Sequence, residues 1–480
     1  MFSKTITTTT TQLGSSIATT TTTTTTNNKK KKKQKKNLGC IVLLAPQRNL
    51  RSGNDVWNNI DRFCLLLRCI RSIDQYLNYY WGPYPIYILI AKDYQNDPLQ
   101  KDAQYTIEDR KLIRSWASKN STIYFVEIDL YSGRNALGYY DTTTTTTTST
   151  INTNSSHKQM SLLNVSTVLQ WRKGYEDSVP GRDLGYTSMC RLWSGRIQQM
   201  DFLTGYHTNN NGDGDGDIEG GDDDDHVDGR NNNGYEYYLR MDDDSLFTSP
   251  FTYDPFLKMK QRQLLYVYKR TAVDHWGIQQ LWDISKPYII QQHKDFLIRQ
   301  SNNNTTTNAT IHYTLNDLPF VYVTSTGDDD FNPINGDDDD QVGEAKRKAG
   351  SGTMIDSSAL DHIHYSGDQP YNNFHLSKVE FWNTPSWKNL YDELNSKHVF
   401  YKYRVGDANV HAIAVMMMPF GTYEEWSGEI DDDGNGDGND DNALHIPYVH
   451  NSNDMKRGWA PKEWQVECQQ AYDRYNITSK

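Results

Sequence analysis

The chain has 480 residues and a formal net charge of −12, room for one large or two ordinary domains. Its folded-looking segments carry no basic stripe interleaved with aromatics, which excludes a nucleic-acid binder. No run of 18 or more apolar residues and no hydrophobic N-terminal signal region occur, so no membrane anchor is expected.

Composition is uneven along the chain. Six tracts offer little apolar surface to repay the entropy of ordering and are read as disordered. They are 1–36 (Thr and Lys), 142–156 (Thr), 208–234 (Asn, Gly and Asp), 301–310 (Asn and Thr), 327–352, and 430–442 (Asp, Gly and Asn). Much of the acidic charge sits inside them, so the net charge says little about a partner. The remainder is rich in Tyr and Trp and suffices for one sizeable core. The expected organisation is a Thr/Lys-rich segment over 1–37 and a single domain over 38–480, interrupted by the other five tracts.

Ordered sequence begins at "NLGCIVLLAP", whose apolar run Leu38–Pro46 predicts a buried strand. Asn54 or Asp55 then caps a predicted helix with an apolar face of Ile60, Phe63, Leu67, Ile70 and Leu77. Tyr84–Ala91 ("YPIYILIA") predicts a second strand, Ile107–Ser118 a helix and Thr122–Asp129 ("TIYFVEID") a third strand. Strands alternating with helices at these lengths imply right-handed crossovers and a parallel sheet with helices on both faces. Continuous rather than alternating apolar runs agree with strands covered on both sides. "YTSMCRLWSGRIQQMDFL" reads as helical, "YEYYLRM" as a strand and "SLFTSPF" as a turn.

Between those last two lies "DDD", Asp242–Asp244. Other acid runs are embedded in Gly and Asn, whereas this one ends a probable sheet strand, where open α/β sheets place their ligands. Asp242 and Asp244, with Asp243 turned away, can hold a divalent cation that bridges a diphosphate, and hard oxygen ligands suit manganese or magnesium. Solvated turn aspartates are the competing reading. Downstream, "YRVGDANVHAIAVMMMPF" places Gly406, Asp407 and His411 at the head of an apolar helix. His411 is read either as a capping residue or as a further ligand to a manganese ion. Asp431–Asn442 approaches an EF-hand loop but has Asn442 where a bidentate Glu is required, so no calcium site is expected. The five cysteines show no metal-binding spacing. Sequons at Asn120, Asn164, Asn308 and Asn476 are expected by chance in such a sequence.

Several motifs in order resemble the fungal-type α-1,2-mannosyltransferase family (glycosyltransferase family 15). "YTSMCRLWSG" is similar to its Y-x-x-M-C-R-x-x-S-G signature and "YYLRMDDD" to its Y-Y-W-R-V-E-P-D. "IQQLWD", "YNNFHLSKVEFW" and "RVGDANVH" resemble three further blocks, and the insertions fall between them. The resemblance implies a GT-A-like α/β fold, a GDP-mannose donor, Mn2+, a mannosylated glycoprotein glycan as acceptor, and transfer with retention. It also implies membrane association in the Golgi. Carried over by position, Asp242, Asp244 and His411 fall at the metal, and Tyr186, Arg191 and Asp407 in or beside the donor pocket. Three positions depart from the pattern. Asp242 replaces a Glu, Asp243 replaces a Pro, and His375 stands where the family has a glutamate proposed as nucleophile. Double displacement needs a carboxylate there. The alternatives are reaction on one face of the sugar without an enzymic nucleophile, a repositioned Glu380, or loss of activity.

Overall fold

A computed structural model describes residues 36–46, 62–91, 105–118, 121–128, 184–205, 218–219, 233–273, 277–303, 319–323, 363–426, 444, 446–450, 466 and 470. All lie within the unit Lys36–Lys480. Of the tracts read as disordered, most residues lie outside this set, as do the helix-capping candidates Asn54 and Asp55. Two places differ from that reading. Ile218–Glu219 forms a short strand within the 208–234 tract, and the helix Ile278–Asn303 runs into the tract beginning at 301.

The strands in chain order are β1 (Asn37–Leu44), β2 (Ile86–Ala91), β3 (Ile123–Ile128), β4 (Ile218–Glu219), β5 (Tyr235–Met241), β6 (Ser245–Phe247) and β7 (Tyr266–Tyr268). They continue with β8 (Thr271–Val273), β9 (Val321–Val323), β10 (Ile363–Tyr365), β11 (Asp368–Pro370), β12 (Phe374–Lys378), β13 (Tyr423–Glu425) and β14 (Tyr448–His450). Eight of them make one sheet, ordered β13-β7-β12-β5-β1-β2-β3-β4. β1 pairs in parallel with both β2 and β5, β2 with β3 and β7 with β13, so the sheet is mostly parallel. β12 runs antiparallel between β5 and β7. The predicted α/β class and the first three strands are observed within one or two residues of their expected ends.

Burial explains the continuous apolar runs. In β1, Cys40 and Val42 pack into one core and Ile41 and Leu43 into the other, on opposite faces of the strand. The second core is closed by the helix α1 (Arg62–Ile73), whose Phe63, Leu67 and Ile70 are buried. Its last turns widen into a π-helical turn over Asp74–Asn78, which keeps Leu77 buried. α2 (Ile107–Ser115) starts with a capping box in which Thr106 and Asp109 satisfy each other's backbone N–H groups. On the other face lie α3 (Leu184–Arg191), α4 (Ile278–Asn303), α5 (Pro385–Ser396) and α6 (Asp407–Met416). Cys64 is disulfide-bonded, whereas Cys40, Cys69 and Cys190 are free and buried.

Two glycines fix the entry to β5. Gly205 (φ 71°) and Gly234 (φ 62°) pack backbone against backbone, and a Cβ on Gly234 would stand 2.5 Å from the Thr204 carbonyl. The Gly234 carbonyl also accepts the Asn37 N–H at 3.0 Å, tying β5 to β1. Gly234→Ala adds left-handed strain to a backbone clash, so a loss of about 2–3 kcal/mol is expected in urea unfolding.

Candidate active site

The site forms where β5 runs out. Asp242, Asp243 and Asp244 follow its last residue in a turn, and the Asp242 N–H donates to the Asn373 carbonyl at 3.2 Å. "SLFTSPF", expected as a turn, opens with strand β6. β6 pairs antiparallel with β14, with Ser245 opposite His450. That register sets His450 Nε2 3.2 Å from an Asp244 oxygen and 3.8 Å from an Asp242 oxygen. One ligand atom each from Asp242, Asp244 and His450 lies within 4.8 Å of the others. Two carboxylates and an imidazole are a donor set suited to manganese. The His450 Nδ1 lies 2.7 Å from the Tyr371 hydroxyl, and the Asn373 amide nitrogen lies 3.0 Å from Nδ1 and 2.6 Å from Nε2. Such a partner fixes a ligating imidazole's orientation.

Two arginines compensate the three aspartates, Arg240 beside Asp242 and Arg62 beside Asp243 and, at 3.6 Å, Asp244. Arg240, buried at 1% side-chain exposure, donates from Nη2 to Asp242 at 3.0 Å and from Nη1 to Asp407. Its guanidinium lies 4.4 Å from the centroid of the Trp193 ring. Asp407 is the first residue of α6, where the positive helix end favours a carboxylate. Burial pushes its pKa up, but the charge and hydrogen bond of Arg240 pull harder and leave it below the usual range. Asp243 turns away from the pair, as expected, and takes Arg62 of α1, which donates from Nε at 2.9 Å and also from Nη2. Burial outweighs Arg62 and, with the neighbouring aspartates, raises Asp243 to about 7. Asp242 is raised as well, chiefly by burial and against Arg240.

Other expected site residues land elsewhere. His411 does not join the acid pair. It is fully buried, its Nδ1 lies 2.8 Å from the Tyr266 hydroxyl and its Nε2 lies 2.9 Å from the Trp193 carbonyl. A neutral ring that donates from Nε2 and accepts at Nδ1 has no lone pair left for a metal. Burial lowers its pKa to about 4, so it stays neutral. His375 is likewise fully buried, with Nδ1 3.1 Å from the Asn372 carbonyl and Nε2 3.0 Å from the Tyr238 hydroxyl. Burial holds its pKa well below the usual range. Glu380 is not repositioned towards the acids. It follows the far end of β12, is 72% exposed and pairs with Lys378 at 3.6 Å.

Arg191 is buried in the helix layer, its Nε donating to Asn395 at 2.6 Å, and Tyr186 is half-buried against the same core. Neither has a described contact with the acid cluster. From their motif Trp193 is the residue that touches the site, through Arg240 and His411. Arg240, Arg62 and His450 were absent from the expectation. Arg240 was legible as the basic residue next to the acid run at the end of the strand, whereas His450 follows a long Asp/Gly/Asn tract that hides its register.

The family model for glycolipid 2-alpha-mannosyltransferase matches residues 230–426. Over those residues, less than half of its length, the chain is similar to glycosyltransferase family 15. The O-glycoside alpha-1,2-mannosyltransferase omh1 of Schizosaccharomyces pombe is 26% identical over 184 residues, 38% of this chain and 34% of that protein. The probable mannosyltransferase KTR5 of Saccharomyces cerevisiae is 25% identical over 202 residues, 38% of each chain. The chain thus matches little more than a third of the length of these relatives. The solved mannosyltransferase Ktr4p from S. cerevisiae in complex with GDP is 15% identical, with a TM-score of 0.46 over 92% of this chain and 82% of that one. The segment matched by the family model holds Asp242, Asp244 and Asp407, and His450 lies beyond it.

His450→Ala is expected to weaken Mn2+ binding by more than about tenfold in titration calorimetry. His411→Ala leaves metal affinity nearly unchanged and instead lowers stability by about 2–4 kcal/mol, through a cavity and two stranded partners. Metal binding requires ionised carboxylates, and raised pKa values let protons compete at higher pH. Mn2+ affinity is therefore expected to fall as pH is lowered, beginning above the ordinary carboxylate range because burial raises Asp242, in the same assay.

Proposed function

We propose that this chain is a Mn2+-dependent mannosyltransferase. It takes mannose from GDP-mannose and adds it in α-1,2 linkage, with retention, to an α-mannoside of a glycoprotein glycan. The observation that carries the reading is the convergence of Asp242, Asp244 and His450 at the carboxyl end of β5, inside and just beyond the family-matched segment. Asp242, Asp244 and His450 would hold the ion, which when bound supplies positive charge to a departing diphosphate. Arg240 and Asp407 keep the Asp242 carboxylate aimed, so little reorganisation is needed when the nucleotide arrives. Arg62 draws Asp243 aside and leaves the other two carboxylates to converge. Lys269, which donates to the Tyr448 carbonyl at 2.6 Å, and Arg270, stacked on Tyr371 at 4.4 Å, add positive charge beside the same strands.

Retention goes with same-face reaction. His375 is neutral and has both ring nitrogens occupied, so it offers no nucleophile. On one face the leaving phosphate accepts the acceptor's proton, and no enzymic carboxylate is required. Among the described residues no helix is long and apolar enough to cross a membrane. Residence in the Golgi lumen fits the Cys64 disulfide, which persists in oxidising compartments. A second reading, a non-catalytic nucleotide- or glycan-binding protein, is favoured by the burial of His375 at the position of the family glutamate. A transferase with another nucleotide-sugar donor is a further alternative, because the acids read the diphosphate and not the sugar.

Labelled mannose is expected to pass from GDP-mannose to methyl α-mannoside in the presence of Mn2+ and to stop with chelator. Asp242→Ala should lower kcat/KM by at least about a hundredfold. GDP binding without transfer would select the binding protein, and transfer from a different sugar nucleotide would correct the donor.

A further inference from the structure

A short turn meets His450 on the side away from β6. Tyr371–Asn373 joins β11 to β12, and the side chains of Tyr371 and Asn373 both reach the His450 ring. The turn is pinned at both ends. The Tyr371 N–H donates to the Arg270 carbonyl at 2.8 Å, and the Asn373 carbonyl accepts the Asp242 N–H at 3.2 Å. The Arg270 guanidinium stacks on the Tyr371 ring, 4.4 Å from its centroid.

Three groups face the two ring nitrogens. Nδ1 lies 2.7 Å from the Tyr371 hydroxyl and Nε2 lies 3.2 Å from an Asp244 oxygen. Asn373 Nδ2 lies 2.6 Å from Nε2 and 3.0 Å from Nδ1. A neutral imidazole has one N–H and one lone pair, and an amide NH2 only donates. The nitrogen nearer to that amide, Nε2, therefore needs the lone pair. A proton on Nε2 would suit Asp244 but would set donor against donor at 2.6 Å. The proton belongs on Nδ1, where the Tyr371 oxygen accepts it, since a hydroxyl accepts as well as donates. His411 is arranged the other way round. Its Nε2 faces the Trp193 carbonyl, which can only accept, so that nitrogen carries the proton.

We propose that Tyr371 is a positioning residue, which by accepting the Nδ1 proton holds His450 in the tautomer whose Nε2 lone pair faces Asp242 and Asp244. Nε2 and the Asp244 oxygen then meet as two acceptors, an arrangement that favours a shared cation. The Asn373 amide faces the same lone pair, so it competes with an ion and does not help to hold one. The consequence for metal affinity rests on the reading of the acid cluster as a Mn2+ site, whereas the tautomer stands apart from it.

Long-range proton–nitrogen NMR of the metal-free full chain, labelled at histidine and assigned by the signal lost in His450→Ala, reads the tautomer directly. At about pH 8, where imidazoles are ordinarily neutral, native His450 is expected to carry its proton on Nδ1 alone. Tyr371→Phe keeps the ring beneath Arg270 and removes the acceptor. In it the proton is expected to move to Nε2, and Mn2+ affinity to fall about tenfold in titration calorimetry. A role in packing alone would lower stability and leave the tautomer where it was. A proton on Nε2 of native His450 overturns the proposal, and that spectrum decides the matter should the variant fail to fold. An unmoved proton in folded Tyr371→Phe, or unchanged Mn2+ affinity once the proton has moved, overturns it too. The Nδ1 tautomer in a native chain that binds no Mn2+ would support the role of Tyr371 and overturn the reading of the acid cluster instead.

Discussion

A single buried guanidinium holds the site together. Arg240 sits near the end of β5 with 1% of its side chain exposed, a position in which an unpaired charge is prohibitive. Asp407 and Asp242 compensate it from two sides, and the Trp193 ring covers its face. Arginine suits this task because its planar fork bonds two carboxylates at once, which the point charge of lysine does not. Removing either partner of such a buried group typically costs about 3–5 kcal/mol, because the remaining charge is stranded. The same bonds fasten the first turn of α6 to the last residues of β5, so the position of a whole helix depends on them.

Three consecutive carboxylates repel one another, and the fold resolves this by giving each a different neighbour. Asp242 takes Arg240, Asp243 takes Arg62, and Asp244 faces His450 at 3.2 Å with Arg62 3.6 Å away. Because successive residues in the turn point apart, Asp243 leaves the cluster while its two neighbours converge on His450. The arrangement is an anionic pocket braced by cations that stay outside it, suited to receiving a divalent ion. Cys69 lies against the same turn, its Sγ 3.6 Å from the Asp242 carbonyl, and burial with the nearby aspartates keeps it protonated.

The histidines separate by environment. His411 and His375 lie in an aromatic layer with Tyr266, Trp382 and each other, the two imidazoles 4.8 Å apart between centroids. Burial makes both neutral, and each spends one nitrogen as donor and the other as acceptor inside the core. His450, on a short strand that among the described residues pairs with β6 alone, keeps Nε2 3.2 Å from an Asp244 oxygen. Spacing in the chain does not distinguish these three, all of them buried, and the groups facing their ring nitrogens do.

Much of the fold was written in local sequence. The apolar runs at 38–46, 84–91 and 122–129 dictated buried parallel strands because only strands covered on both faces are apolar throughout. The helices were legible from apolar spacing. The acid pair was legible as well, because Asp242–Asp244 terminates a strand while the other acid runs sit in Gly- and Asn-rich tracts. Tertiary structure decided the third group of the cluster. "SLF" carries no signal of its own as a strand and becomes one by pairing with Tyr448–His450, some 200 residues away in sequence. That pairing brings His450 to Asp244 and leaves His411, the histidine with the more suggestive motif, in the core. Local patterns report the covering of a strand or helix, which each segment carries in its own side chains. A ligand set assembled from two distant segments depends on register, and register exists only once both segments are folded.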